Sequence, residues 1–284
     1  MKHPNIGAHV GAAGGLWKSV ENAKAIGATC FQIFGASPRQ WRANMPPETE
    51  IKKFKSTLKE NGLGPVYLHA AYLVNLASGN KELLKKSVEN LTAHLKIAEM
   101  LGAVGLIFHP GSWKGMKSKE EGLVQEVKAM QTILKNVPGA SKCIIENTAG
   151  GGEKIGTLED IRYLYAKVKS KRVQVCIDTA HAFESGMIRE YATKEIKTFL
   201  NAWDVSVGLE NIPVLHVNDS KTAGASHHDR HENIGEGYIG KEGFKALAKE
   251  RSLWNKDWIL EVPGFTNEGP DKKNIDILKS CFHA

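Results

Sequence analysis

A single (β/α)8 barrel of the TIM type is the fold this sequence predicts, and three observations predict it. Short apolar runs and amphipathic stretches alternate eight times along 284 residues. Each run is four to six residues long, the length of a strand covered on both faces. No low-complexity linker or break in composition divides them, so one domain spanning 1–284 is expected. A doubly wound open sheet is the runner-up, and would more often carry a glycine-rich phosphate turn after its first strand. Gly11-Ala12-Ala13-Gly14-Gly15 is rich in glycine but lacks the GxGxxG spacing.

The expected strands are 6–10, 29–34, 65–69, 105–109, 142–146, 173–178, 214–217 and 258–262. Between them, Leu84, Val88, Leu91, Leu95 and Ala98 recur at alternating steps of four and three, which is one face of a helix over 81–101. Ser118 and Thr157 each stand three residues before an acid, the pattern of a capped helix start. Further helices are expected over 16–26, 48–61, 188–203, 241–250 and 271–281.

Composition narrows the setting. At 42% hydrophobic and 24% charged, a chain of this length can bury a core without disulfides. Cys30, Cys143, Cys176 and Cys281 show no CxxC spacing, and three sit in or beside apolar runs, so they read as reduced thiols of an intracellular protein. No stretch near Met1 resembles a signal peptide and no run approaches membrane-span length. A cytoplasmic protein with no membrane partner is therefore expected. A net charge of +7 suits a polyanionic partner, although many metabolic enzymes share it.

The informative pattern is what ends each run. His9 lies in the first strand; His69 and His109 end the third and fourth; Glu146 and Asp178 end the fifth and sixth; His216 and Glu261 lie in the last two. In a parallel barrel all these ends open on one face, where active sites form. His181 follows Asp178 by three residues, and the stretch 215–240, LHVNDSKTAGASHHDRHENIGEGYIG, adds Asp229 and His231 after the seventh strand. A lone histidine at a strand end is more often a rim residue than a ligand, but burying several carboxylates together is very costly without a compensating cation. Imidazole with carboxylate and no thiolate favours zinc, with manganese or iron as substitutes. His69, His109, Glu146, Asp178, His181, His216, Asp229, His231 and Glu261 are too many for one ion. With one bridging carboxylate they suffice for three. His9 is expected to hydrogen-bond to the ligands. His3, His94 and His283 read as structural or solvated, and His227 and His228 as loop residues outside the ligand set.

At these residues the sequence resembles the endonuclease IV family of apurinic/apyrimidinic endonucleases over nearly its whole length. The resemblance is carried by HVGAAGG at 9–15, PRQW at 38–41, YLVNLAS at 72–78, FHPGS at 108–112 and IENTAG at 145–150. It continues through IDTAH at 177–181, HVNDSK at 216–221, DRHENIGEGYIG at 229–240 and ILEVPG at 259–264. It implies a TIM-type barrel with three zinc ions. His69, His109 and Glu146 would hold the first. Glu146 would bridge to the second, which Asp178, His216 and Glu261 complete. His181, Asp229 and His231 would hold the third. Glu146 and Glu261 would be the catalytic carboxylates, in hydrolysis of the phosphodiester 5′ to an abasic site with release of a 3′-hydroxyl and a 5′-deoxyribose phosphate. Removal of 3′ blocking groups is a further implied activity. Arg39, Gln40 and Tyr72 would meet the DNA stack, and Lys114, Lys221 and Arg230 its phosphates; Trp41 reads equally as rim packing. The implied partner is damaged double-stranded DNA, met by a monomer with no obligate protein partner.

Two rivals come from other classes. A sugar isomerase or epimerase on the same barrel would use one or two divalent ions, so the DRHENIG segment, with ligands for a third, speaks against it. A non-catalytic DNA-binding module would not need metal ligands at a barrel mouth.

Overall fold

The computed structural model describes residues 3–37 and 40–283. Eight strands form a closed, wholly parallel barrel: β1 (Ile6–His9), β2 (Cys30–Phe34), β3 (Val66–His69), β4 (Gly105–Phe108), β5 (Lys142–Glu146), β6 (Val173–Asp178), β7 (Val214–His216) and β8 (Asp257–Leu260). Each strand pairs with the next in the chain. The circle closes where β8 returns to β1, with Ile6 opposite Trp258 and Ala8 opposite Leu260. Gly7 of β1 sits where a side chain could not, since a Cβ there would lie 1.8 Å from the carbonyl oxygen of Cys30. The strands are short and apolar because both faces are covered, one by the barrel interior and the other by helices.

Those helices are α1 (Leu16–Ala25), α2 (Glu48–Asn61), α3 (Lys81–Leu101), α4 (Lys119–Asn136), α5 (Leu158–Val168), α6 (Thr179–Glu184), α7 (Thr193–Val207), α8 (Gly240–Ala248) and α9 (Lys272–Ser280). Leu91, Leu95 and Ala98 of α3 are buried, with Leu84 and Val88 packed at the edge of the core. Thr157 and Asp160 complete a reciprocal capping box on α5. Ser118 accepts the Glu121 N–H at 3.3 Å, but the Glu121 carboxylate takes the Lys117 N–H, so α4 carries half of the expected box.

The stretch expected as a helix over 188–203 divides differently. A short helix, α6, follows β6 at once, and α7 starts five residues later than the pattern suggests. Ile196, Phe199, Leu200, Trp203 and Val207 form the buried face of α7. Ile188 is apolar for another reason, being buried in the turn that closes α6, where its N–H donates to the Ala182 carbonyl. Two small antiparallel ladders stand where loops were expected: Gly111–Ser112 with Lys154–Ile155, and Asp219–Ser220 with His231–Glu232.

Inside the barrel, Cys30, Tyr67, Ile107, Ile144, Cys176, Val214 and Ile259 form one buried cluster. Below it the Tyr67 hydroxyl donates to Asp257 at 2.7 Å, and Asn5 donates to the other Asp257 oxygen at 2.8 Å. Side chains alternate in a strand, so the next inward position lies two residues on. Counting two from each member of the cluster gives Gln32, His69, His109, Glu146, Asp178, His216 and Glu261. The apolar plug thus sets the floor on which the polar residues stand. All four cysteines are buried and free. Among the described residues, no helix is long and apolar enough to cross a membrane.

Candidate metal centre

The mouth of the barrel brings all nine expected ligand-type residues into overlapping groups whose nitrogen and oxygen atoms lie within 4.8 Å of one another. His69, His109 and Glu146 form one; Glu146, Asp178, His216 and Glu261 a second. The third expected trio is spread over two groups that share His181, one with Asp178 and His231, the other with Glu184 and Asp229.

Glu146 is the hub. Its Oε2 lies 3.2 Å from His69 Nε2 and 3.1 Å from His109 Nε2, and its Oε1 lies 2.8 Å from His216 Nδ1. His216 Nδ1 is also 3.2 Å from Glu261 Oε2. On the other side, Asp229 Oδ1 sits 3.2 Å from His181 Nε2 and 3.7 Å from His231 Nε2. Glu146, Asp178 and His216 are fully buried.

The rings are oriented from outside. His69 Nδ1 donates to the Ala70 carbonyl at 2.8 Å, and His181 Nδ1 to the Asn147 carbonyl at 3.0 Å. His231 Nδ1 faces the Glu261 carbonyl at 3.4 Å. A neutral imidazole has one N–H, so each ring, once its inner nitrogen gives up a proton, turns a lone pair toward the carboxylates. Among the described residues, the Nε2 atoms of His181 and His231 are buried and find no hydrogen-bond partner. Inward lone pairs, carboxylates and orphaned ring nitrogens together fit divalent cations. Metal–ligand bonds of about 2.0–2.2 Å at tetrahedral angles imply donor separations of roughly 3.3 Å, in the range seen here.

The charges answer to the same arrangement. Burial works to raise the Glu146 carboxyl, but His216 and His109 beside it hold it well below the ordinary carboxylate range. Burial works to lower His181, but Asp178 and Asp229 push it well above the ordinary imidazole value. His69 is raised against burial in the same way by Glu146 and Glu261. His9 goes the other way: burial lowers it, and its Nδ1 stands 3.3 Å from Glu261 Oε1.

Asparagines behind the carboxylates set their angles. Asn218 donates to Asp178 Oδ2 at 2.6 Å and accepts the Glu261 N–H at 2.7 Å. Asn147 accepts the Asp178 N–H at 2.7 Å. Asp219 lies in the same loop as Asp229 yet does something else. Its two oxygens accept the N–H groups of Ser220, Gly235, Gly237, Ile239 and Gly240. The backbone wraps so closely that a Cβ at Gly237 would lie 2.5 Å from Asp219 Oδ1. This knot holds the Asp219–Ser220 ladder, and His231 pairs with Ser220 across it.

Two residues of the site escaped the sequence reading. Glu184 joins the His181–Asp229 group from α6, accepting the Ser220 hydroxyl at 2.7 Å and the Arg230 N–H at 3.2 Å. Burial pushes its carboxyl up to about 6, against the Ser220 hydrogen bond. The signal was its i+3 spacing from His181, meaningful only once a helix is known there. Gln32 is the inward residue of β2, the one strand whose mouth end carries no histidine or acid.

Around these side chains, Tyr72 is 70% exposed with its ring 5.9 Å from that of His69. It lines, with Arg230 and the histidines, a cleft of about 320 Å3. Gln40 lines a neighbouring cavity of about 770 Å3 that His9 and Phe34 also border. Lys221 and Arg230 are exposed just beyond the end of the ladder, and their backbones hydrogen-bond at 2.8 Å. Lys114 is exposed, and Trp41 is half-buried against the core. Arg39 lies outside the described residues. His227 and His228 are exposed, His227 donating to the Ala149 carbonyl at 3.1 Å. His94 is buried in α3, bonded to the Asn90 carbonyl.

Residues 20–281 match the model of the xylose isomerase-like TIM barrel family. A probable endonuclease 4 of Halothermothrix orenii is 36% identical over 276 residues, covering 96% of this chain and 99% of the relative. The crystal structure of endonuclease IV from Thermus thermophilus superposes with a TM-score of 0.85 at 35% identity, covering 99% of both chains. A D-tagatose 3-epimerase-like protein, at 19% identity and a TM-score of 0.72 over 98% of this chain and 97% of its own, shares the fold alone. With fold, length and sequence agreeing across the whole chain, this protein belongs to the endonuclease IV family.

Proposed function

We propose that the chain hydrolyses the phosphodiester immediately 5′ to an abasic site in duplex DNA, leaving a 3′-hydroxyl and a 5′-deoxyribose phosphate. Three divalent cations, zinc by preference and manganese or iron as substitutes, would be held at the barrel mouth. The observation that carries this reading is the shared use of Glu146, Asp178 and His181 between neighbouring ligand-type groups. One cation would not need so many donors, and an isomerase working by proton transfer would not need the donors on the Asp229–His231 segment. Bound cations would supply charge to stabilise an anionic phosphoryl transition state and lower the pKa of water toward neutrality.

The residues have separable tasks. His69, His109 and Glu146 would hold the first cation. Glu146, whose two oxygens face different histidines, would bridge to the second with Asp178, His216 and Glu261, and His181, Asp229 and His231 would hold the third. Tyr72, exposed beside His69, offers an aromatic face to the DNA stack, to which Gln40 and its sequence neighbour Arg39 would add polar contacts. An abasic nucleotide has already lost its stacking and pairing, so extruding it costs less than extruding an intact one. Lys114, Lys221 and Arg230 would meet phosphates and make binding salt-dependent. The same phosphoester chemistry would serve to remove blocking groups from 3′ ends. The donor set closes within one chain, which suits a monomer.

The decisive experiment is incubation of metal-replete protein with a duplex oligonucleotide carrying one abasic site. Incision on its 5′ side is expected, abolished by chelation and restored by zinc, with the intact duplex untouched. Folded protein that carries near-stoichiometric metal and leaves the abasic duplex whole would refute the reading.

A pH dependence follows. His69 and His181 are raised by neighbouring carboxylates in the metal-free site, so they contribute stability that is full below the ordinary histidine range and lost as pH rises through their raised values. Cations compete with those protons. The rise in melting temperature on adding zinc should therefore grow between about pH 5.5 and 8, measured by calorimetry at fixed free metal. A rise independent of pH would contradict the assignment of these rings as ligands.

A further inference from the structure

We propose that Gln32 is a positioning residue that fixes the tautomer of His216 and the orientation of Glu261 for the cation these two would share; the inference rests on the metal reading above. Gln32 is fully buried and comes from β2. Its amide nitrogen lies 2.6 Å from Glu261 Oε1 and 2.8 Å from His9 Nδ1, and its oxygen lies 2.8 Å from His216 Nε2. One amide thus joins side chains from β1, from β7 and from the end of β8.

Chemistry determines which way the amide points. An ionised carboxylate only accepts hydrogen bonds, so the group facing Glu261 must be the NH2. The oxygen then faces His216, and an amide oxygen only accepts, so His216 Nε2 carries the hydrogen. With the ring neutral, as a metal ligand must be, its Nδ1 is left as a lone pair, directed at Glu146 Oε1 at 2.8 Å and Glu261 Oε2 at 3.2 Å. Glu261 is held the same way, with Oε1 bound to Gln32 and Oε2 turned inward. His69, His181 and His231 rely on backbone carbonyls for this service, whereas His216 relies on a side chain. That makes the arrangement removable by a single substitution. Partners behind a ligand typically contribute about 10–100-fold to metal affinity.

Gln32→Leu keeps the bulk and removes every hydrogen bond. In zinc-loaded protein it should remain folded by circular dichroism, while competition with a chromophoric chelator shows one class of zinc weakened about 10–100-fold. For an abasic duplex, kcat should fall with KM little changed, since DNA is held elsewhere. Long-range 15N–1H spectra of zinc-loaded wild-type protein should show His216 protonated at Nε2, a readout that needs no variant. Wild-type zinc affinity in Gln32→Leu, or protonation at Nδ1 in the wild type, would overturn the proposal. If Gln32→Leu does not fold, Gln32→Met and the wild-type spectrum decide it. Wild-type protein that binds no zinc would remove the metal reading itself, an outcome distinct from a variant that binds zinc normally.

Discussion

Glu146→Gln is expected to lower kcat/KM for abasic-site incision by at least about a hundredfold while the dissociation constant for abasic duplex changes only a few-fold. Residues behind a ligand cost about 10–100-fold when lost, so removing a carboxylate that faces two groups sets the upper end of that range as a floor. Glutamine keeps the shape but carries no charge. Its NH2 would also point a hydrogen at either His69 and His109 or His216, where Glu146 now turns an acceptor. Glu261→Gln should behave likewise, since one of its oxygens faces His216 and the other is held by Gln32. DNA affinity should survive in both because the exposed Tyr72, Lys221 and Arg230 are untouched. Single-turnover cleavage and fluorescence anisotropy on the same oligonucleotide separate the two effects. Binding lost in step with cleavage would mean that these carboxylates support the DNA surface and not the chemistry.

Asp219→Asn should cost roughly 2–6 kcal/mol of folding stability, visible as a lower denaturation midpoint of the metal-replete protein. Five backbone N–H groups converge on this buried carboxylate, at least two of them on each oxygen alone. An asparagine keeps one oxygen, so two donors or more lose their acceptor and meet an NH2 group, at about 1–3 kcal/mol each. Against a typical net stability of about 5–15 kcal/mol, that is a large share. The damage should extend to the site, because the same knot holds the ladder on which His231 pairs with Ser220. A midpoint equal to that of the wild type would show that the loop is held by something other than Asp219.

How far the sequence could be read depended on the range of the physics involved. The ends of α2 and α3 matched expectation to the residue, and each barrel strand to within a residue or two at either end, because local periodicity and turn residues set them. The residues before α7 did not, since Ile188 is apolar for the sake of a turn and not of a helix face. The two ladders of Asp219–Ser220 and Gly111–Ser112 carry too few residues for any period to register.

The set of histidines and acids that cluster at the mouth was legible for a related reason. A histidine or acid ending an apolar strand is conspicuous in one dimension, and the barrel rule sends all such ends to one face. Gln32 was not conspicuous, because glutamine announces neither metal nor charge, and its meaning lies in Glu261, 229 residues away. Asp219 and Asp229 look alike in the sequence, and only the wrapped backbone of 235–240 distinguishes an anchor from a group facing His181. The chain by itself determined the eightfold alternation, the chemical type of the side chains that meet at the mouth and the family of the protein. Which oxygen faces which ring and which residues hold those groups still were decided only by closure of the barrel, because those contacts join strands far apart in the chain.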